Sequence, residues 1–543
     1  MQRNNSVIKN WRLNFIFLFV ILFAAVLIGR LFYIQVLKAD FYTALAQGFH
    51  NLVSNEERLE RGEILLKDGE PLAINSSFPL VFASTSEVKN LQEAAKTLSE
   101  ILNLPQNSIV EKLEKDTLYS PIKTKLTEKE VELLKSAKLA GIFLKAENGR
   151  YYPKESLASK AIGFLGAQGV GQYGLEEYYD ELLKGSSRGA DLTLTLDYNI
   201  QFMAEKLLND AKENLEIEGG EIVVMDPNSG KILALASFPN FDPNQYKEYA
   251  AKGTLEIFQN GVTQKLFEPG SVFKPVTMAA GLQEGLITPQ TKYIDEGVVK
   301  IGGYPIYNYD NRVWGERTMT EVLEKSINTG AVFVEKLLPH NVFLDYLDKF
   351  AFFQKSGIDL PETYSQNQEF KEGYEINFAT ASFGQGIEIT PIQLVRAYAA
   401  IANGGKLVTP YLVDKISRNG KITETQPKIE ESIISSIITS QLTAMLVSVV
   451  ENGYAKSAKI PGYYIAGKTG TAQVPEGGVY SSEKTIQTFV GFAPAFSPQF
   501  LILIKLNNPK TKTAEYSAVP LFHDLAEYII HYYQIAPDYQ EDR

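Results

Sequence analysis

The sequence of 543 residues contains no cysteine and only four histidines. The absence of cysteine excludes disulfides, thiolate catalysis and metal centres with cysteine ligands. The histidines lie far apart, without the spacing of zinc ligands, so we expect no metal site. Basic residues are fewer than acidic ones, 53 against 64, and the formal net charge of -11 argues against nucleic acid as a partner.

Long apolar runs are also scarce, and one of them is long enough to cross a bilayer. It covers residues 13–37 and is interrupted by Asn14 and Arg30. Three basic residues precede it, which predicts a cytoplasmic tail at 1–12 and a catalytic region outside the cell membrane: Arg3, Lys9 and Arg12. A cleaved signal peptide is the alternative. Residues 30–35 do not form a small-residue cleavage site, which favours a retained single-pass anchor.

The region after the anchor shows no catalytic constellation. Residues 38–190 are mixed in composition, and the spacing of apolar residues predicts amphipathic helices at 89–102 and 126–139. The turn-rich segment 185–189 marks a boundary. We therefore interpret residues 38–190 as a non-catalytic pedestal domain and residues 191–543 as the catalytic domain.

Strand patterns stand at both ends of the catalytic domain, with helical patterns between them. Strands are predicted at 192–196, 220–226, 231–236, 464–466, 488–492 and 500–506. Helices are predicted at 200–215, 275–282, 319–325, 391–402 and 520–533, and Thr318 with Glu321 forms a capping box. This order predicts an α+β domain, with an antiparallel sheet flanked by helices.

Ser271 and Lys274 are the first candidate catalytic pair. Residues three apart on a helix share one face, so the lysine amine can reach the serine hydroxyl. A serine becomes a nucleophile when a base takes its proton, and a lysine can act so if burial or a nearby cation lowers its pKa. The same spacing recurs at Ser86/Lys89, Ser120/Lys123 and Ser481/Lys484, so the pair alone is weak.

Two downstream motifs single out Ser271: Ser326-Ile327-Asn328 and Lys468-Thr469-Gly470-Thr471. The three-part set is typical of serine β-lactamases and penicillin-binding proteins. Gly470 removes a side chain from a predicted strand, which would allow an extended peptide substrate to approach. Both motifs have decoys. We interpret Ser365-Gln366-Asn367 as a solvated loop and Lys355-Ser356-Gly357 as the C-cap of a helix over 342–353.

Further segments extend this pattern over nearly the whole chain. They are Glu268-Pro269-Gly270, Phe383-Gly384-Gln385-Gly386, Ala466-Gly467 and Ala472-Gln473, together with Met225-Asp226-Pro227 and Phe241-Asp242-Pro243-Asn244. In this order they resemble a class B penicillin-binding protein, a membrane-anchored D,D-transpeptidase of cell-wall synthesis. The resemblance implies the penicilloyl-serine transferase fold (β-lactamase/transpeptidase-like), preceded by an elongated pedestal and a transmembrane helix. In the pedestal, Leu66 departs from the usual aspartate and Lys160 from a frequent histidine.

The resemblance also implies a role for each motif residue. Ser271 attacks the D-Ala-D-Ala peptide bond, Lys274 accepts its proton, and Ser326, polarised by Lys468, relays the proton to the leaving D-alanine. Asn328 holds the substrate amide and orients Lys274. The motif Lys468-Thr469-Gly470-Thr471 binds the terminal carboxylate, and backbone N–H groups of Ser271 and Thr471 form the oxyanion hole. No cofactor is required, and β-lactams should acylate the same serine.

Two other functions fit the same residues. One is a hydrolase, either a D,D-carboxypeptidase or a β-lactamase-type enzyme; the other is a non-enzymatic divisome scaffold or β-lactam sensor. The length, the anchor and the intact motifs favour the transpeptidase. The C-terminal segment 532–538 resembles the septal, cell-division type. The implied partners are peptidoglycan stem peptides, a SEDS-type glycosyltransferase and other divisome membrane proteins.

Overall fold

The computed structural model describes residues 61–115, 120–185, 188–476 and 479–540, together with parts of 19–28. Within these residues, no helix combines the length and the apolar character that a membrane crossing needs. The predicted cytoplasmic tail and most of the predicted anchor at 13–37 lie outside the described residues.

A five-stranded antiparallel sheet forms the centre of the catalytic domain. Its strands run in the spatial order Ala466–Glu476, Val479–Ala493, Phe500–Asn507, Gly219–Met225 and Ile232–Phe238. Two of the inner strands, Gly219–Met225 and Phe500–Asn507, are mostly apolar and almost entirely buried. Helices Tyr198–Leu215 and Ala518–Tyr532 pack on this sheet and on each other, and Pro391–Ala402 also packs against it. The predicted antiparallel sheet flanked by helices is confirmed.

The remaining helices connect the strands or cover the core. Those of the pedestal are Leu91–Leu102, Gln106–Leu113, Glu128–Ala137, Ser159–Ile162, Gly174–Tyr178 and Asp180–Lys184. Those of the catalytic domain are Tyr246–Ala251, Gly261–Gln264, Lys274–Gln283, Met319–Glu324, Asn328–Leu337, His340–Lys349, Gln368–Lys371, Glu375–Ala381 and Ser436–Asn452. The helix Met319–Glu324 begins with the predicted capping box, because the Thr318 side chain accepts from the Glu321 backbone and the Glu321 side chain accepts in return.

A second sheet joins the pedestal to the catalytic domain. Its strands follow the order Lys421–Glu424, Val413–Arg418, Asp191–Leu194, Ile64–Leu65, Pro71–Ala83 and Ser120–Lys123, and Ile142–Tyr151 also pairs with Pro71–Ala83. The pedestal strand Ile64–Leu65 therefore pairs directly with the first strand of the catalytic domain. Short two-stranded pairs complete the fold: Lys292–Asp295 with Gly315–Thr318, Val298–Ile301 with Tyr304–Tyr307, Lys406–Val408 with Ile429–Ser432, and Phe164–Leu165 with Gly171–Gln172.

The hydrophobic cores do not follow the boundary between the pedestal and the catalytic domain. Apolar residues at the base of the pedestal, including Ile64 and Leu175, belong to one core with the central sheet. A separate core lies in residues 81–144, which we call the distal lobe. The base of the pedestal is thus packed as part of the catalytic domain, and the distal lobe is packed on its own.

Buried charges hold the base of the pedestal together. Glu176 is fully buried and pairs with Arg61 at 2.6 Å and with Arg150 at 2.7 Å, and Arg61 also reaches Asp180 at 2.8 Å. Burial favours the neutral acid, but the two arginines outweigh it and hold the pKa of Glu176 below its usual range. Because a buried charge is costly without its partner, these residues fix the three segments that carry them.

The two unusual pedestal residues both lie in the interior. Leu66 is fully buried in the core shared with the catalytic domain. Lys160 is 5% exposed, and burial lowers its pKa to about 8, although the nearby carboxylate of Glu221 opposes this shift. Glu221 itself pairs with Lys505 at 2.8 Å. Both departures therefore occur where the pedestal packs on the central sheet.

Candidate active site

Ser271 lies on a single turn, Gly270–Phe273, that leads into the helix Lys274–Gln283. We call Gly270–Phe273 the nucleophile turn. The turn starts at Gly270 with a φ of +61°, a conformation that glycine adopts without strain. Ser271 is half-buried, and Lys274 Nζ lies 2.8 Å from its Oγ. The predicted nucleophile and base are therefore within hydrogen-bond reach.

The segment Phe383-Gly384-Gln385-Gly386 supports the nucleophile turn from behind. The Gly384 carbonyl accepts a hydrogen bond from the Gly270 N–H at 2.9 Å. A Cβ on Gly384 would lie 2.2 Å from the Gly270 carbonyl oxygen, so only glycine fits. Gly386 N–H donates to Glu268 Oε1 at 3.1 Å, which ties the same segment to the residues before the turn.

Lys274 is surrounded by four oxygen atoms. Its Nζ lies 2.8 Å from the Ser326 carbonyl oxygen, 2.8 Å from Asn328 Oδ1 and 3.2 Å from Ser326 Oγ, in addition to Ser271 Oγ. The carbonyl and the amide oxygen can only accept, so they require two N–H donors. A neutral amine has two N–H groups and one lone pair, which leaves the lone pair for a serine hydroxyl.

Electrostatics favour the same neutral state. Lys274 is fully buried, and burial together with the nearby Lys468 holds its pKa well below its usual range. Burial also lowers the pKa of Lys468, to about 7. Among the described residues, neither amine forms an ion pair with a carboxylate. Since each cation disfavours the other, Lys274 is the neutral member and Lys468 the more basic one.

Ser326 connects the two lysines. Its Oγ accepts from Lys468 Nζ at 2.9 Å and lies 3.2 Å from Lys274 Nζ. Ser326 has a φ of +55°, which is strained for a residue with a side chain and is common at functional sites. Its hydroxyl can pass a proton between the region of Lys274 and a group bound beside Lys468.

The third motif lies on Ala466–Glu476, at the edge of the central sheet. Lys468 and Gly470 share one side of this strand, because side chains alternate. A Cβ on Gly470 would lie 3.1 Å from the Pro269 carbonyl oxygen and 3.0 Å from a Val272 methyl group. The backbone that approaches Gly470 on this side thus belongs to Pro269 and Val272, at and just before the nucleophile turn. The approach of a peptide substrate to this strand stays a prediction.

The two threonines of this motif lie on the other side of the strand. Thr471 Oγ1 accepts a hydrogen bond from the Ala514 N–H at 3.2 Å, so its proton is left to donate. Thr469 is mostly buried, and its carbonyl accepts from Lys468 Nζ at 3.0 Å. Because this strand lies at the edge of the sheet, a bound peptide could form hydrogen bonds with the N–H and carbonyl groups along its outer side.

The decoy motifs do not form comparable sites. Ser120 and Lys123 lie on a strand and bond elsewhere, to the Lys112 carbonyl and to Glu130. The helix before Lys355 ends at Lys349, so the predicted C-cap role of Lys355-Ser356-Gly357 is wrong. Those residues form a loop instead, in which Glu362 accepts from the Ser356 and Gly357 N–H groups. Two residues after Ser365, the Asn367 side chain is paired with the backbone of Glu388.

Sequence patterns missed two contacts that hold the site. The Tyr307 carbonyl accepts from Asn328 Nδ2 at 3.0 Å, and the Tyr398 hydroxyl donates to the Val272 carbonyl at 2.7 Å. The first contact uses a backbone atom, which no residue type reveals. The second comes from an aromatic residue inside a helix, whose pattern indicates only burial.

Together, the fold and the site are those of a serine acyltransferase. Residues 220–527 match the penicillin binding protein transpeptidase domain, and residues 57–198 match the penicillin-binding protein dimerisation domain. The chain therefore belongs to this family, and it is a class B penicillin-binding protein.

Individual relatives agree with this assignment. The chain is 31% identical to stage V sporulation protein D of Bacillus subtilis (strain 168), over 94% of this chain and 83% of the relative. It is 28% identical to the peptidoglycan D,D-transpeptidase FtsI of Escherichia coli (strain K12), over 99% of this chain and 94% of the relative. Penicillin binding protein 3 of Mycobacterium tuberculosis, solved in complex with aztreonam, is similar in structure, with a TM-score of 0.70 and 27% identity over 89% of this chain and 98% of that chain.

Proposed function

We propose that this class B penicillin-binding protein is a peptidoglycan D,D-transpeptidase in which Ser271 forms the acyl-enzyme. The observation that carries the proposal is the bonding of Lys274. Two acceptor-only oxygens use its N–H groups, and its lone pair is left 2.8 Å from Ser271 Oγ. A buried, neutral amine in this position is the general base that a serine nucleophile needs.

In the first half of the reaction, Ser271 Oγ bonds to the carbonyl carbon of the D-Ala-D-Ala peptide bond. Its proton moves to Lys274 Nζ. As the peptide C–N bond breaks, Ser326 passes a proton to the leaving nitrogen and is reprotonated from Lys274. Free D-alanine leaves, and the donor peptide remains as an ester on Ser271. The contacts of Ser326 with both lysines support this relay.

In the second half, an amine of a neighbouring stem peptide attacks the ester carbonyl. The amine loses a proton, the ester C–O bond breaks, and Ser271 recovers its hydroxyl hydrogen through Lys274. A new amide then cross-links the two peptides. Water in place of the amine would give the carboxypeptidase reaction, so analysis of the products separates transfer from hydrolysis.

Binding of the donor peptide is assigned to the edge strand. Lys468 with the hydroxyls of Thr469 and Thr471 binds the terminal carboxylate, because charge-assisted hydrogen bonds are the strong ones. Gly470 lets the strand close onto the nucleophile turn. The backbone N–H groups of Ser271 and Thr471 serve as the oxyanion hole. β-Lactams use the same groups when they acylate Ser271.

The proposal includes the location of the protein in the cell. The apolar segment at 13–37 anchors the protein with its N-terminus in the cytoplasm and residues 38–543 outside the membrane. The resemblance of the C-terminal segment 532–538 to the septal type favours a role in septal synthesis. In that role, the anchor and pedestal contact a SEDS-type glycosyltransferase and other divisome membrane proteins.

Penicillin labelling of the full-length protein tests the proposal. Wild-type protein should be labelled once, on Ser271, and Ser271→Ala should remove the label without changing the circular dichroism spectrum. Label that remains in this variant, on Ser86, Ser120 or Ser481, would refute the assignment of the nucleophile.

A further inference from the structure

A buried carboxylate lies behind the catalytic asparagine, outside every motif. Asp295 is 1% exposed. It accepts from the Gly297 N–H at 3.0 Å, the Trp314 N–H at 2.8 Å, the Asn308 side chain at 2.9 and 3.0 Å, and the Thr329 hydroxyl at 2.6 Å. No described lysine or arginine forms an ion pair with it. Four hydrogen-bond donors therefore compensate its burial.

These donors close a loop that projects toward the active site. Between Asp295 and Trp314 lies a hairpin of Val298–Ile301 and Tyr304–Tyr307, which we call the active-site hairpin. Its inner face packs Ile301 and Ile306 on the helices Asn328–Leu337 and Glu375–Ala381. Asp295 fixes both ends of this loop, and through Asn308 it also fixes the residue that follows the hairpin.

Two consecutive residues of the loop bind two consecutive residues of the helix Asn328–Leu337. The Asn308 side-chain oxygen accepts from the Thr329 N–H at 3.1 Å, and the Tyr307 carbonyl accepts from Asn328 Nδ2 at 3.0 Å. The other end of the Asn328 amide accepts from Lys274 at 2.8 Å. A path of hydrogen bonds and one peptide link thus runs from Asp295 through Asn308, Tyr307 and Asn328 to the general base.

The Tyr307 carbonyl decides which way the Asn328 amide points. An amide rotated by 180° would present N–H donors to Lys274, whose own N–H would then lack an acceptor. The carbonyl accepts only the observed orientation. Its position depends on Asn308, whose side chain is held by Asp295 and donates to the Arg312 carbonyl at 3.0 Å.

We propose that Asp295, acting through Asn308 and the Tyr307 carbonyl, is a positioning residue that orients Asn328 and thereby Lys274 for acyl transfer. The inference rests on the proposed function of Ser271 and Lys274. It adds a group that contacts neither the substrate nor the nucleophile.

The test compares two isosteric substitutions of buried carboxylates in the full-length protein. Asp295→Asn replaces an acceptor oxygen with a donor. Asp359→Asn is the matched control, because Asp359 is also buried and accepts from the Leu412 and Val413 N–H groups and the Tyr179 hydroxyl, but bonds to no site residue. Both variants should melt at lower temperature. Acylation by penicillin at 25 °C should fall on the order of 10²-fold in Asp295→Asn and stay near wild type in Asp359→Asn, since a misplaced catalytic group costs about this much.

A double-mutant cycle with Asn328→Ala separates positioning from general destabilisation. Acylation over hours, followed by intact mass, measures even slow variants. If Asp295 acts through Asn328, the double variant acylates at the rate of Asn328→Ala. Effects that multiply, or an Asp295→Asn variant that acylates like wild type, would overturn the inference. Should Asp295→Asn fail to fold, Thr329→Val removes one donor to Asp295 and takes its place in the cycle. A wild-type protein that is not acylated at Ser271 would instead refute the proposed function.

Discussion

A methyl group on Gly384 should disable the nucleophile without touching it. Gly384 has a φ of +84°, and its carbonyl holds the Gly270 N–H. In Gly384→Ala, the new Cβ would stand 2.2 Å from the Gly270 carbonyl oxygen and 2.7 Å from its nitrogen. Contacts of this length lie about 1 Å inside van der Waals distance, so the nucleophile turn must move by a similar amount.

The size of the effect follows from this displacement. Ser271 is the next residue, and its Oγ now lies 2.8 Å from Lys274 Nζ. A shift of about 1 Å takes the pair beyond hydrogen-bond distance. Misplacement on this scale costs on the order of 10²-fold in rate, or about 2.7 kcal/mol. The left-handed backbone adds a separate destabilisation of about 1–2 kcal/mol.

Gly386→Ala is the control for the destabilisation that comes from the left-handed backbone alone. Gly386 has a φ of +69°, but its added Cβ would meet only the Thr380 hydroxyl, at 3.2 Å. Both variants should therefore lose similar stability in urea titrations, whereas only Gly384→Ala should lose acylation, followed by stopped-flow or gel-based penicillin labelling. Acylation rates for the two variants that agree within about threefold would refute the reasoning, because the clash would then not reach the serine.

Three further results are expected. Lys468→Ala should slow acylation by ~10²–10³, whereas Lys355→Ala, in a loop, should leave it unchanged; equal rates would show that the wrong motif was chosen. Acylation needs Lys274 neutral and Lys468 protonated, so the rate should fall as pH rises through the Lys468 pKa of about 7, and a rate still rising above that pH would contradict this assignment. Glu176→Gln removes the carboxylate that neutralises two buried arginines and should lower the free energy of unfolding, measured in urea, by about 3–5 kcal/mol. The folded fraction of this variant should acylate at the normal rate.

A related expectation concerns truncation. A chain that begins at Asp191 keeps every site residue but loses the strand Ile64–Leu65 and the apolar residues that pack beside it. We expect this chain to acylate with penicillin and to melt well below the full-length protein. An unchanged melting temperature would show that the shared core contributes little. A folded chain that fails to acylate would show that the pedestal takes part in the site.

Repeating patterns and motif spacing predicted much of this molecule. The helix Pro391–Ala402 begins and ends where its pattern does, and the strand Phe500–Asn507 follows from the apolar run at 500–504. The grouping of Ser271, Ser326 and Lys468 was predicted from motif order. The spacing of apolar residues indicates which side chains are buried, and this helix and this strand are stabilised mainly by burial, so the spacing predicts them.

Contacts between distant backbone atoms could not be predicted in the same way. The approach of Gly384 to Gly270 and the Tyr307 carbonyl at Asn328 join residues far apart in the chain, through atoms that every residue carries. The C-cap predicted at Lys355-Ser356-Gly357 failed for a related reason. The apolar residues after Lys349 are buried by tertiary packing, so their periodicity outlasts the helix.

The shared core at the base of the pedestal determines where this protein can be divided and recombined with a relative. In a chimaera joined near residue 190, the strands Ile64–Leu65 and Asp191–Leu194 would come from different proteins and would have to pair with each other. Side chains of the other protein would also pack against Leu66 and Leu175. Joints at residues 80 and 145 would instead cut the chain at two paired positions of the strands Pro71–Ala83 and Ile142–Tyr151. These strands lead into the distal lobe, which has a separate hydrophobic core. The exchangeable unit is therefore the distal lobe, which can be replaced while the candidate site and the core around it keep their own residues.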